Sequence, residues 1–217
     1  EKQGLKIKIV EFSDYVQPNV ALSQGELDIN IFQHRPYLDN MIADRGLKLA
    51  VVGDSILLPM AIYSKKENVK KLEDIPVGGK IGIPNDPSNE GRALILAEAK
   101  GLIKLKDSKN LKATPKDIVE NPKNLKFVEL EAAQVPQSLG DLDAAIINSN
   151  YAIQVGMNPQ KDSLAVEGKE SIYTNVIVVQ EKDKDNPQIK KFVQIYQSPE
   201  TKKFIEETFK GSILPGF

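Results

Sequence analysis

The sequence lacks the residues and motifs on which many enzyme and metal sites depend. It has no cysteine, which excludes disulfide bonds, cysteine-ligated zinc and a cysteine nucleophile. His34 is the only histidine, which excludes a metal site built from several histidines. No G-x-S-x-G, G-x-G-x-x-G or Walker A pattern occurs, so neither a serine nucleophile nor a nucleotide-phosphate loop is indicated. These absences favour a binding protein, without cofactor or metal, over an enzyme.

Neither charge nor apolar runs indicate a nucleic-acid or membrane partner. The 29 basic and 30 acidic residues give a net charge of -1, so the electrostatic attraction to phosphates is missing. No apolar run approaches the roughly 20 residues that span a bilayer. No signal-peptide pattern is recognisable, so export cannot be inferred directly. The 217 residues, 41% hydrophobic, are enough for one large domain or two lobes with a core.

One stretch near the start of the chain combines a strand pattern with a cluster of aromatic and polar residues. Apolar and polar residues alternate over Leu27–Ile31, which predicts a half-buried strand. Pro36 is well placed to begin a helix that ends at Arg45 with Gly46 as its cap. Aromatic and polar side chains at such a turn are typical of ligand sites in open α/β sheets. An ordinary strand end with scattered polar residues fits the stretch equally well.

Strand and helix patterns alternate through the first part of the chain. Alternation over Leu5–Phe12 predicts a strand, and a short helix is predicted up to Gln24. Apolar segments at Leu47–Val52 and Ile56–Tyr63 predict further strands, and Pro59 makes the second an edge strand or a bend. This order predicts a parallel or mixed sheet covered by helices.

The pattern restarts at Lys80–Pro84, where a strand precedes a second helical segment. We therefore predict an α/β protein of two lobes, with residues 1–79 and 174–217 in lobe I and 80–173 in lobe II. The chain would cross between the lobes twice, and a ligand would bind in the cleft between them. The remaining predicted elements are strands at Leu125–Leu130, Asp143–Ile147 and Tyr173–Gln180, and helices that begin at Pro187 and Pro199.

Several short stretches, in unbroken order from Leu5 to Phe217, resemble the methionine-binding lipoproteins of bacterial ABC importers, the NlpA-type family. The resemblance implies a type II periplasmic-binding-protein fold. It also implies capture of L-methionine by an extracytoplasmic, lipid-anchored monomer without catalysis, and delivery to a membrane permease that a separate ATPase powers. The stretches that carry the resemblance are Asp14–Asn19, Phe32–Leu38, Pro84–Asn89 with Gly91 and Arg92, Val119–Leu125, and Tyr173–Val176.

The resemblance assigns four ring residues to the ligand pocket. Tyr15 and Phe32 match the aromatic residues that hold the methionine side chain, while His34 and Tyr37 match polar rings of the same pocket. The chemistry agrees, because a thioether gains ~0.3–1.5 kcal/mol from contact with an aromatic ring. Without the family pattern, Tyr15 and Phe32 would be interpreted as core residues and His34 as a hydrogen-bonded buried histidine.

The resemblance also assigns polar residues to the charged ends of the amino acid. Arg92 matches the arginine that holds the carboxylate, for which a guanidinium offers two parallel hydrogen bonds. Asn148 and Asn175 match asparagines that contact the amino and carboxylate ends, and an amide can donate and accept. The ammonium has no assigned acid, although Asp86 is a candidate. Taken singly, Arg92 would be a solvated helix residue and Asn175 a strand cap.

Three other functions stay open at this point. The same fold could bind another amino acid or a short methionine-containing peptide, because pocket length is not visible in the sequence. An enzyme on a similar fold is disfavoured by the shortage of histidine, cysteine and clustered acids. An effector domain of a transcription regulator is disfavoured because no helix-turn-helix segment or basic arm is present.

The family pattern also concerns the N-terminus. Family members have a signal peptide, a lipid-bearing cysteine, and a first strand and helix ahead of the strand at Leu5. Glu1–Gly4 resembles the end of a helix with a glycine cap. We therefore expect the natural protein to carry an additional N-terminal segment, because lobe I would otherwise have unpaired strand edges.

Overall fold

A computed structural model describes residues 4–168 and 171–217, and the chain divides into two compact units. Unit 1 contains the chain up to Leu57 and again from Ile172 to Phe217, and unit 2 contains Leu58–Ser171. The chain therefore passes from unit 1 to unit 2 and back once. The helix end predicted over Glu1–Gly4 lies, for its first three residues, outside the described part of the chain.

The helices begin and end where local sequence signals place them. The helices are α1 Gln17–Gln24, α2 Arg35–Arg45, α3 Pro87–Ala99, α4 Ser149–Gln154, α5 Pro187–Tyr196 and α6 Pro199–Phe209. A proline occupies the first turn of every one of these helices except α4, at a position where its missing N–H costs nothing. Gly25 and Gly46 follow α1 and α2 with φ of 81° and 65°, the left-handed conformation that glycine adopts without strain.

The strands are short and fall into separate sheets in the two units. Short 3-10 turns occur at Leu72–Asp74, Pro115–Asp117, Gln137–Asp141 and Glu181–Asp183. The strands are β1 Leu49–Asp54, β2 Ile56–Leu57, β3 Ala61–Tyr63, β4 Lys80–Pro84, β5 Lys104–Leu105, β6 Ile118–Glu120, β7 Lys126–Leu130, β8 Ala144–Ile147, β9 Ala165–Val166, β10 Val176–Gln180 and β11 Leu214–Pro215.

Unit 2 is built on a mixed five-stranded sheet with the order β7-β4-β8-β3-β9. β4 runs parallel to both β7 and β8, while β3 pairs antiparallel with β8 and β9. The carboxyl ends of β4 and β8 therefore lie at the same edge of the sheet. The chain continues from these ends into α3 and α4, so residues just after Pro84 and Ile147 are brought together.

Unit 1 contains antiparallel pairs, β1 with β10 and β2 with β11. The predicted strand at Leu27–Ile31 is reduced to a single bridge, in which Asn30 exchanges backbone hydrogen bonds with Val178 at 2.9 and 3.0 Å. The predicted strand at Leu5–Phe12 is wrong. Residues 5–12 have no regular structure, and Ile9 is 80% exposed, because no described strand pairs with this segment.

The structure divides the chain earlier than the predicted boundary at residue 79. β3, which we predicted to belong to lobe I, pairs with β8 and β9 in the sheet of unit 2. The predicted break at Pro59 is confirmed, since β2 ends at Leu57 and β3 begins at Ala61. The change of unit occurs at this break, which the sequence pattern identified only as a bend.

Each unit has its own apolar core. In unit 1, α1, α2, β1 and β10 contribute Leu22, Leu38, Leu49 and Val178 to one buried cluster. In unit 2, α3 packs on β3, β4 and β8 around a larger buried cluster. Among the described residues, we find no helix with the length and apolar character needed to cross a membrane.

Candidate functional site

Rings of unit 1 form an aromatic cluster, which consists of Tyr15, Phe32, His34, Tyr37 and Tyr173. The Tyr15, Phe32 and Tyr37 rings lie 5.8–6.1 Å apart, centroid to centroid. The His34 ring lies 6.4 Å from that of Tyr37 and 5.0 Å from that of Tyr173, both edge to face. Tyr15 and Phe32 are only half-buried, so they are not the fully buried core residues of the alternative interpretation.

Backbone contacts hold these rings in place. His34 caps α2, because its Nδ1 atom accepts the N–H of Tyr37 at 3.2 Å. The hydroxyl of Tyr37 donates to the carbonyl of Tyr15 at 3.0 Å, which ties α2 to the turn before α1. His34 is 4% exposed and acts as an acceptor through Nδ1, so the interpretation of His34 as a hydrogen-bonded buried residue is also supported.

Asn175 lies beside the aromatic cluster. It forms an isolated antiparallel bridge with His34, and the N–H of Val176 donates to the carbonyl of Gln33 at 2.8 Å. Its own N–H donates to Ile56, and its carbonyl accepts from Ser55, both at 2.8 Å. These bonds use only backbone atoms of Asn175, so they fix its position without using its side chain.

A buried network of amide side chains, which sequence reasoning missed, includes a residue between two rings of the aromatic cluster. The Asn19 and Gln33 amides exchange two hydrogen bonds of 2.7 Å each. Asn30 donates to Asn19 at 2.9 Å and accepts from Gln33 at 3.1 Å. Because Gln33 lies between Phe32 and His34 in sequence, this network fixes the segment that carries two rings of the cluster. The one sign of this network in the sequence is that amide residues occur in and just after the predicted strand Leu27–Ile31.

In unit 2, three side chains form an amide relay at the carboxyl edge of the sheet. Asp86 caps α3 and accepts the N–H of Asn89 at 3.0 Å. The Nδ2 group of Asn89 donates to both Asp86 oxygens, at 3.0 and 2.9 Å. The Oδ1 atom of Asn89 accepts from Nδ2 of Asn148, which follows β8, at 2.7 Å. The structure thus joins the predicted residues Asp86 and Asn148 through Asn89, which the sequence analysis did not select.

Arg92 lies one turn after Asn89 on α3 and is 4% exposed. Its Nε and Nη2 atoms donate to the two carboxylate oxygens of Glu167 at 3.1 and 2.5 Å, and Nη2 also donates to the Leu58 carbonyl at 2.9 Å. Glu167 in turn accepts the N–H of Met60 at 3.1 Å. Arg92 is therefore not a solvated helix residue, and one edge of its guanidinium is occupied by a partner from its own unit.

Two acids near the start of α3 have perturbed pKa values. Burial raises the pKa of the Asp86 carboxyl, although the hydrogen bonds from Asn89 and Ser88 oppose this rise. Burial, together with a hydrogen bond and repulsion from Glu129, raises the pKa of Glu90 from 4.5 to about 7. The carboxyl of Glu90 therefore stays protonated to a higher pH than an ordinary glutamate.

The predicted site residues fall into two groups. Tyr15, Phe32, His34, Tyr37 and Asn175 lie together in unit 1, and Arg92 and Asn148 are linked through α3 in unit 2. Within residues 4–168 and 171–217, no group of three or more His, Cys, Asp or Glu side chains is arranged to hold a metal ion.

The sequence matches a family model over its whole length. The model describes the NlpA lipoproteins, and the match covers residues 1–217. A D-methionine-binding lipoprotein MetQ from Yersinia pestis is 52% identical over 219 residues, which cover all of this chain and 80% of the relative. The corresponding MetQ protein from Escherichia coli K12 is 50% identical with the same coverage.

Solved structures with similar folds include substrate-binding proteins. A nutrient-binding protein from Burkholderia cenocepacia bound to methionine is 51% identical, with a TM-score of 0.94 over all of this chain and 90% of that chain. A periplasmic substrate-binding protein of an ABC transporter from Coxiella burnetii is 46% identical, with a TM-score of 0.93 over 99% of this chain and 90% of that chain. The predicted periplasmic-binding-protein fold is therefore confirmed.

Proposed function

Because the chain belongs to the NlpA lipoprotein family, we propose that it is a substrate-binding protein that captures methionine for an ABC importer. The observation that carries this proposal is the shared fold and high identity with a relative whose structure contains methionine. The homologous proteins are substrate-binding proteins, which supports a role in binding without catalysis.

The aromatic cluster is the part of unit 1 that we assign to the methionine side chain. Tyr15 and Phe32 are half-buried rings 6.0 Å apart, and Tyr37 meets both of them edge to face. A flexible, polarizable thioether gains ~0.3–1.5 kcal/mol from each favourable contact with a ring. A cluster of several rings therefore favours methionine over an amino acid with a polar side chain.

We assign the charged ends of methionine to Arg92, Asn148 and Asn175. The positive charge of Arg92 would attract the ligand carboxylate. Glu167 already holds the Nε–Nη2 edge of the guanidinium, so a carboxylate does not take that edge while Glu167 remains in place. Arg92 therefore does not offer that edge as the two-bond fork that the sequence suggested. Asn148 and Asn175 must supply further hydrogen bonds to the charged ends of the ligand.

Membership of the family supports a proposal for the cellular role. We propose that the protein acts as a monomer on the extracytoplasmic side of a bacterial membrane, held there by a lipid anchor. It would deliver methionine to a permease that a separate ATPase drives. The names of the relatives include both the lipoprotein character and methionine binding, which supports this assignment. Those names specify D-methionine, so both enantiomers are candidate ligands.

Identification of a ligand retained through purification tests the proposal. The protein is denatured, and the released small molecules are identified by mass spectrometry and compared with those of an Arg92→Ala preparation. We expect methionine from the wild-type protein and much less from the variant. Recovery of a nucleotide, a sugar or an unrelated amino acid in place of methionine would contradict the proposal.

A further inference from the structure

The side chain of Asn148 is buried with one polar atom satisfied and the other not. It is 6% exposed, and its Nδ2 group donates to Asn89 at 2.7 Å. Its Oδ1 atom is buried and has no hydrogen-bond partner among the residues that the structure describes. A buried acceptor without a donor is unfavourable, so this oxygen marks a position at which a donor from a bound molecule would be stabilising.

The orientation of the Asn148 amide is determined at the other end of the relay. The carboxylate of Asp86 can only accept, and it receives the Ser88 hydroxyl at 2.9 Å as well as the bonds from Asn89. Asn89 must therefore turn its NH₂ group toward Asp86, which leaves its Oδ1 atom for Asn148. Asn148 must in turn direct its NH₂ group to Asn89. The atom left to accept a further hydrogen bond at the end of the relay is then the Oδ1 oxygen of Asn148.

We propose that Asp86 and Asn89 are positioning residues that present the Oδ1 atom of Asn148 as the acceptor for the ligand ammonium. This inference rests on the proposed function, because it names the atom that recognises the amino group of methionine. It also supplies an acceptor for the ligand ammonium, to which no acidic residue is assigned. Asp86 acts through two amides and does not itself contact the ligand.

The chemistry favours an ammonium over the other ligand groups at this position. A carboxylate offers only acceptor oxygens and would meet Oδ1 with repulsion. A thioether offers no strong donor. An ammonium offers three donors, and its hydrogen bond to an amide oxygen is charge-assisted and stronger than a neutral one. The carbonyl dipole of Asn148 therefore selects for the amino group of an amino acid.

Two ligands that differ only in the amino group provide the test. Methionine and 4-(methylthio)butanoate share the thioether and the carboxylate, and their dissociation constants are measured by calorimetry with stripped protein. The ratio of the two constants is the ammonium selectivity. We expect wild-type protein to bind methionine at least ~10-fold more tightly, because a hydrogen bond to a charged group contributes about this factor or more.

The central variant is Asn89→Ala, which releases the Asn148 amide from its fixed orientation. We expect the ammonium selectivity to fall about tenfold, while the affinity for 4-(methylthio)butanoate stays within about twofold. The matched control is Asn121→Ala, which removes another amide of unit 2, one that is hydrogen-bonded to Leu125 at 2.8 and 2.9 Å. The control should leave the selectivity unchanged.

A second variant keeps the inference testable if Asn89→Ala does not fold. Asp86→Asn has the same shape, but its amide can donate as well as accept, so it no longer forces the orientation of Asn89. We expect a smaller loss of selectivity in the same direction. The control is Asp117→Asn, since Asp117 accepts from Thr114 at 2.8 Å in a similar cap without a connection to Asn148.

The outcomes separate this inference from the proposed function. If wild-type protein binds no methionine, the proposed function fails. If it binds methionine but both folded variants keep full selectivity, or lose affinity for both ligands equally, the positioning role is refuted. A wild-type selectivity near one, or a rise in selectivity in Asn89→Ala, also refutes it, because Asn148 would then not recognise the ammonium.

Discussion

His34 and Asn175 lie opposite each other as an isolated antiparallel backbone pair in unit 1. The bridge joins the turn before α2 to the residue before β10, although the two segments are far apart in sequence. The aromatic cluster and Asn175 are therefore held together by main-chain hydrogen bonds, which side-chain substitutions leave in place. Substitutions at this site can consequently test ligand contacts without removing the scaffold.

Tyr37→Phe should weaken methionine binding through the aromatic cluster. The change removes the 3.0 Å hydrogen bond to the Tyr15 carbonyl, so Tyr15 is held less firmly beside Phe32. We expect a loss of about 0.5–1.5 kcal/mol in the free energy of unfolding and a several-fold rise in the dissociation constant. Denaturant unfolding and calorimetry measure the two effects.

The control for this variant is Tyr196→Phe, which removes a 2.8 Å hydrogen bond to Ser55 in the same unit. It should lower stability by a similar amount and leave the dissociation constant unchanged. Equal changes in affinity for the two variants would show that Tyr37 affects binding only through stability.

Glu167→Ala should strongly destabilise the protein. Arg92 is 4% exposed, and loss of Glu167 leaves its buried charge without that partner, which typically costs about 3–5 kcal/mol. Glu120→Ala is the matched control, because its pair with Lys104 is more than half exposed on both sides. An exposed pair contributes at most about 1 kcal/mol. Equal unfolding free energies for the two variants would contradict a buried, structurally important pair.

The pKa of Glu90 predicts a dependence of stability on pH. The pKa is raised from 4.5 to about 7 in the folded protein, so folding favours the protonated form. The stability from this group is complete below pH 4.5 and is lost as the pH rises through about 7. The Glu90→Gln variant has no carboxyl group at this position, so this contribution to the pH dependence of stability is absent.

Measurements of the free energy of unfolding at several pH values test the predicted contribution of Glu90 directly. The stability of wild-type protein relative to Glu90→Gln should decrease as the pH increases across that range. A difference that is constant, or that changes in the opposite direction, would show that Glu90 is not held protonated by burial and Glu129.

Arg92→Ala should weaken methionine binding more than Arg92→Lys. Removal of one partner from a buried charge pair typically costs about 2–5 kcal/mol, and lysine keeps the charge without the planar fork. Calorimetry measures both variants, with Lys104→Ala as a control for loss of an exposed cation. Wild-type affinity in folded Arg92→Ala would eliminate Arg92 as the carboxylate residue.

The sequence was most informative where structure depends on neighbouring residues. Pro36 and Gly46 mark the bounds of α2, and α6 begins at Pro199 as predicted, because these signals act within one turn. Pairing of strands is not local. Leu5–Phe12 alternates like a strand but has no partner among the described residues, and the alternation could not reveal that.

The difference between local and non-local contacts also explains which site residues the sequence did not reveal. Asn89 follows Asp86 by three residues, the spacing of a helix cap, so its contact with Asp86 was visible in principle. Its contact with Asn148 was not, because it depends on β4 and β8 being parallel neighbours. Glu167 comes from a distant part of the chain, and no local pattern connects it with Arg92.

The most direct test of the account is calorimetric titration of stripped wild-type protein with L-methionine and with D-methionine. We predict one-site binding of at least one enantiomer, and weaker binding of norleucine, in which a methylene replaces the sulfur. The bound protein should also be more resistant to heat, since ligand at a hundredfold excess over its dissociation constant stabilises by about 2.7 kcal/mol. If neither enantiomer gives heat or a melting shift while another amino acid or a dipeptide gives both, the account is wrong.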